Sequence, residues 1–142
     1  MVKWIIRVLP VLYMTLIWVL SSMPADAVVE LPDLAVDRFI KESMHLIEFG
    51  ILYVLLVLAA LTAVKLTPGV NILLAVIACF YGILDEVHQS FVPYRSATVI
   101  DAVKDITGVA VCWYFISRAL FYGRFKRLGK LLGFFSTAKR KS

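Results

Sequence analysis

The stretch MHLIEFGILYVLLVLAALTAV, residues 44–64, decides the fold. A bilayer core takes about 20 apolar residues as helix, and this run meets that length with His45 and Glu48 standing together in its opening turns. Working outward, three further stretches of the same kind appear. Residues 4–20 are interrupted only by Arg7 and Pro10, and residues 70–84 can continue as helix through Asp85 and His88. Residues 99–122 carry Asp101, Lys104 and Asp105 near their beginning. Thr67-Pro68-Gly69 and Pro93 supply the breaks, since proline and glycine stop helices. The expected architecture is all-α: a four-transmembrane-helix bundle over residues 1–122, followed by a short basic segment over 123–142. No internal repeat or low-complexity segment accompanies it.

Composition supports a membrane setting. Of 142 residues, 61% are hydrophobic and 18% charged. A soluble chain this short cannot hide so much apolar surface. The net charge of +5 does not point to nucleic acid, because eight of the fifteen basic residues lie in the last 25, where there is no acid. Such a cluster beside a span faces anionic inner-leaflet lipids. Cys79 and Cys112 both sit in apolar stretches, which argues against a disulfide framework or a cysteine-built zinc site.

Lysine and arginine set the orientation. Lys3 and Arg7 mark the first span, and Arg118, Arg124, Lys126, Arg127, Lys130, Lys139, Arg140 and Lys141 mark the end. The connection over residues 21–43 holds five acids against Arg38 and Lys41. Both termini are therefore expected in the cytoplasm, and the first and third connections outside a multi-pass cell-membrane protein. A rival reading treats residues 3–27 as a secretory signal with a small-x-small end at Ala27, leaving three spans in the same orientation. In the tail, Phe125, Leu128, Leu132 and Phe135 share one helical face, which suits a surface helix on the inner leaflet. Gly123, Gly129 and Gly133 weaken that helix, so a loosely ordered anchor is the alternative.

The polar residues fall into stripes. His45 and Glu48 share a face, Tyr81, Asp85 and His88 share another with Glu86 and Gln89 beside it, and Asp101, Asp105, Gly108 and Cys112 form a third. The expected topology brings these three helix ends to one membrane level. Charged groups within spans are costly, roughly 2.5–3.5 kcal/mol each at a helix centre, and mark function by default. Asp101 also has an ordinary explanation, because acids favour helix N-termini. Asp85 and Glu86 have the opposite problem, since a helix C-terminus disfavours acids. They call for a cation, and Arg95, just past the Pro93 turn, is the expected partner for Asp85, Glu86 or Asp101.

The stretch from Asp85-Glu86-Val87-His88-Gln89 to Pro93-Tyr94-Arg95, followed by Asp101 and Gly108, resembles the VanZ-like family. The resemblance extends to Ser21-Ser22-Met23-Pro24 and to Lys41, His45 and Glu48, with departures at Tyr94 and Asp105. It implies a four-helix membrane protein of the bacterial envelope, in a setting of glycopeptide (teicoplanin) resistance.

Two functions compete. A binding protein would use His45, Glu48, Asp85, Glu86, His88, Gln89, Arg95, Asp101 and Asp105 to hold a glycopeptide antibiotic, a lipid-linked wall precursor or a lipid head group. An intramembrane hydrolase would draw its acid–base groups from Asp85, Glu86, His88 and Glu48. The His-x-x-Glu and Asp-x-x-His spacings also admit a divalent metal. No nucleophilic serine or cysteine motif and no phosphate-binding glycine loop is present. A structural role or a proton path completes the field.

Overall fold

A computed structural model describes residues 2–24, 34–93, 95 and 97–136, with side chains in the second helix described from residue 43 onward. Five helices form: α1 (Val2–Ser21), α2 (Leu34–Ala63), α3 (Pro68–Gln89), α4 (Val99–Phe121) and α5 (Lys126–Phe135). No strand occurs among the described residues. Pro68 stands in the first turn of α3 behind Thr67, whose side chain accepts from the Val70 amide. Proline is tolerated there because that amide hydrogen has no helical partner. The signal-like end at Ala27 and the Lys41 side chain lie outside what is described, as does Tyr94.

Cross-helix contacts fix the directions. Arg7, early in α1, bonds Thr62, late in α2. Gln89 at the end of α3 reaches Ser21 at the end of α1, and His45 in α2 faces Asp105 in α4. Thus α1 and α3 run one way while α2 and α4 run the other. The most buried element is α2, whose Phe49, Leu52, Tyr53, Val57 and Leu61 form the core with Ile17, Ala78, Val109 and Ile116. Their spacing of three and four is that of a helix stripe. Leu12 and Leu16 of α1, and Leu73, Val76 and Phe80 of α3, point outward. A lipid-facing surface would need such a face.

Three helices are long and apolar enough to cross a membrane: Val2–Ser21, Ser43–Ala63 within α2, and Pro68–Gln89. The α4 helix has the length but carries Asp101, Lys104, Asp105 and Arg118, which sets it apart by composition.

Glycine lets α4 approach its neighbours. A Cβ on Gly108 would stand 1.8 Å from the Leu46 carbonyl oxygen, and one on Gly50 would lie 3.1 Å from Cys112 Sγ. Likewise a Cβ on Gly82 would meet the Asp105 Cβ at 3.2 Å. Gly108, expected as part of a polar stripe, is thus the point where α2 and α4 touch backbone to backbone.

After α4 the chain reverses through Gly123 (φ +64°) and Phe125 (φ +53°). The resulting α5 differs from the expected leaflet helix. Leu132 is buried, and Leu128 and Phe135 pack against the core of the bundle. Gly129 permits this, since a Cβ there would lie 3.0 Å from the Ala119 carbonyl oxygen. Leu131 and Phe134 are the apolar side chains of α5 left facing out, beside Lys126, Arg127 and Lys130.

Candidate functional site

Three helices each contribute one side chain to a cluster at the end of the bundle where α2 and α4 begin. His45 Nδ1 lies 3.6 Å from Asp105 Oδ1 and 3.9 Å from Glu86 Oε1. Asp105 is 1% exposed, Glu86 7%, and the His45 side chain 18%. Among the described residues none of these atoms has a hydrogen-bond partner, and neither does Asp105 Oδ2 or Asp85 Oδ1. Unpartnered buried groups are rare in folded proteins because each forfeits its hydration without recompense. Five in one cluster set this end of the molecule apart.

The backbone around these groups is well determined. Glu86 Oε2 accepts from the Thr98 amide at 3.2 Å, just before α4. Thr98 also caps α4: its hydroxyl accepts from the Asp101 amide at 3.2 Å and donates to Asp101 Oδ2 at 2.7 Å. Asp101 further accepts from Lys104 at 3.0 Å. Asp101 is therefore engaged in closing the first turn of its own helix. Asp105, one turn later, carries the carboxylate that points into the cluster. The capping signal Thr98-x-x-Asp101 is legible in the sequence, but the role of Thr98 in holding Glu86 is a matter of packing.

Arg95 does not pair with Asp85, Glu86 or Asp101, contrary to the expectation. Its Nε donates to the Met23 carbonyl at 2.9 Å, one terminal nitrogen donates to the Leu20 carbonyl at 2.7 Å, and the other donates to Gln89 Oε1 at 3.3 Å. The reason is positional. The carbonyls at and just beyond the end of α1 lie at the negative end of its dipole, and those of Leu20 and Met23 are within hydrogen-bond reach of the guanidinium while the acids are not. Gln89 transmits the link, since its Nε2 donates to Asp85 Oδ2 at 2.6 Å.

His88 also turns away from the acids. Its ring stacks on Trp18 at 3.9 Å, and its Nε2 lies 2.9 Å from Ser22 Oγ. Tyr81 donates to the Met14 carbonyl at 2.7 Å. The stripe of Tyr81 and His88 therefore docks α3 on α1, while Glu86, one residue from Asp85, faces α2 and α4. Trp18 was assigned no part by the sequence, and Ser22 stood only within the stretch that carries the resemblance. Only contact across 66 residues or more reveals it. Glu48 lies half-buried one turn from His45, within electrostatic reach of His45, Asp85 and Asp105. The structure thus brings His45, Glu86 and Asp105 to one point, with Glu48 and Asp85 beside it. It directs Arg95, Gln89 and His88 toward α1, and Asp101 to its own helix cap.

Among the described residues, the carboxylates of Glu48, Asp85, Glu86 and Asp105 gather here around the His45 imidazole, and the Arg95 guanidinium bonds toward α1 instead of pairing with them. Buried carboxylates this close require a proton or a cation. A family model described as VanZ/LLP1 matches residues 6–122. No match was found among curated proteins, and none among solved structures.

Proposed function

Because this chain belongs to the VanZ/LLP1 family, we propose that it is a multi-pass protein of the bacterial cell membrane whose polar end faces outward and binds an envelope ligand. That ligand is a glycopeptide antibiotic of the teicoplanin kind or a lipid-linked wall precursor, and membrane lipids surround the rest. One observation carries the reading: unpartnered carboxylate oxygens of Asp85, Glu86 and Asp105 gather with His45 at a single end of the bundle. Such groups favour a ligand bearing a positive charge, and glycopeptides carry amines. In this reading α4, lying against α2, is the fourth span, and both basic termini are cytoplasmic.

The test is antibiotic susceptibility in a deletion strain complemented with wild type, Asp85→Asn or Asp105→Asn. Wild type should raise resistance to teicoplanin and the two variants should not; full complementation by both variants would sink the binding reading. Orientation is checked in a chain lacking Cys79 and Cys112. A cysteine introduced at Asp33 should label from outside and one at Lys139 should not, and labelling at Lys139 would reverse the topology.

A second reading, an intramembrane acid–base hydrolase, is favoured by the partly exposed His45 between two carboxylates. An imidazole so placed could accept a proton from water.

A further inference from the structure

We propose that His45 Nδ1, Glu86 Oε1 and Asp105 Oδ1 are the ligands of a divalent transition-metal ion, zinc above all, with a further coordination position left for water or the envelope ligand. This deepens the binding reading given above, and rests on it only in placing both functions at one end of the bundle.

Geometry comes first. The three ligand atoms lie within 4.8 Å of one another. The two His45 separations are 3.6 and 3.9 Å, and the third is no more than 4.8 Å. The in-plane point equidistant from the three atoms is then at most about 2.4 Å from each, at or a few tenths of an ångström beyond zinc–oxygen and zinc–nitrogen bonds. The same gaps are poor for hydrogen bonds. A shared proton would draw two oxygens to roughly 2.5–3.0 Å, and a His–Asp bond would close below 3.2 Å. This end of the molecule does close hydrogen bonds where it makes them, as Gln89 to Asp85 at 2.6 Å shows. The spacing around His45 thus fits ligands arranged about a common centre better than a closed hydrogen-bond network.

Burial gives an independent argument. Asp105 is 1% exposed and both of its carboxylate oxygens lack partners, while Glu86 is 7% exposed with Oε1 unpartnered. An ion would satisfy these atoms and neutralise their charge together. Support from outside the first contacts is present too, because the Thr98 amide fixes Glu86 through its other oxygen. The donor set selects the ion. One imidazole and two carboxylates suit zinc or a neighbouring transition metal better than calcium or magnesium, which favour all-oxygen surroundings. Three protein ligands match zinc sites that keep an open position. Such an ion would polarise an oxygen of a bound ligand or lower the pKa of its own water.

The experiment uses the full chain in detergent micelles, stripped with a chelator and titrated with zinc against a chromophoric competitor. Wild type should bind one equivalent and show a higher melting temperature with zinc than without. Cobalt in its place should give visible absorption bands. His45→Gln, Glu86→Gln and Asp105→Asn should each weaken zinc at least about 100-fold, more than is usual for loss of a supporting partner alone. Asp101→Asn should bind as wild type does. Wild type that takes up no zinc tighter than micromolar overturns the proposal, and so does a ligand variant with an unchanged melting curve that binds zinc as well as wild type. Susceptibility separates the two readings. If zinc binding is absent while resistance still depends on Asp105, the metal fails and the binding site stands. If zinc binds and resistance ignores Asp105, the metal stands and the binding reading fails.

Discussion

Within the bundle Tyr53 donates to Asn71 Oδ1 at 2.7 Å and Asn71 donates to Ser117 at 2.8 Å, whereas His45, Glu86 and Asp105 face one another at 3.6 and 3.9 Å without a bond. Both sets are largely buried, with only His45 partly exposed, and both come from α2, α3 and α4 in the same order. Loose packing therefore does not explain the difference, since the same three helices close one network fully. Neutral amides and hydroxyls carry donors and acceptors in matched numbers, so they can satisfy each other once the helices dock. Carboxylates are acceptors only, and an assembly of them needs something from outside the chain. The contrast separates a polar network that holds helices together from one whose groups do not satisfy each other.

The largest test of this comparison is Gly108→Ala. Its Cβ would stand 1.8 Å from a backbone oxygen of Leu46, which cannot rotate aside, so α2 and α4 must separate. A loss of about 3 kcal/mol or more is expected, at or above the usual range for overpacking. Gly133→Ala, with nothing within 4 Å, should melt within about 0.5 kcal/mol of wild type or above it. Detergent-titrated unfolding reads both. Equal stability of the two variants would mean that α2 and α4 do not meet in this register, and the cluster would lose its basis.

Arg95→Ala comes next. It removes charge-assisted bonds to the Leu20 and Met23 carbonyls and the link to Gln89, and should cost about 2 kcal/mol. Arg95→Lys should recover only part, because one ammonium cannot reproduce the fork. Unchanged melting of Arg95→Ala would detach α1 from the site's support.

Asn71→Ala strips the satisfied network and should lose about 1 kcal/mol, since hydrogen bonds between membrane helices are individually modest. Asp105→Asn inverts the sign of that result. Removing a charge from an unpartnered cluster should leave metal-free stability within about 0.5 kcal/mol of wild type or higher. A loss as large as that of Asn71→Ala would make Asp105 a structural residue and erase the contrast.

Some of this was legible in the chain alone. Apolar length set four candidate spans, and the helices cover them, with α3 running through Asp85 and His88 to Gln89. However, α2 begins ten residues earlier than its apolar run, at Leu34 within the expected first connection. Residue type and spacing also brought His45, Glu86 and Asp105 into one candidate group. Helical period says which side chains share a face but not what that face meets. Asp101 and Asp105 are one turn apart on one stripe, yet one caps a helix and the other enters the cluster. His88 and Asp85 share a stripe, yet His88 stacks on Trp18. Arg95 was matched to acids by charge, when the carbonyls at the end of α1 lay closer. Hydrophobicity and turn chemistry are local, so the sequence by itself determined the helices and the polar inventory of their ends. Only the tertiary structure decided the partners, because an arginine or carboxylate pairs with the complementary group that folding brings within about 3 Å.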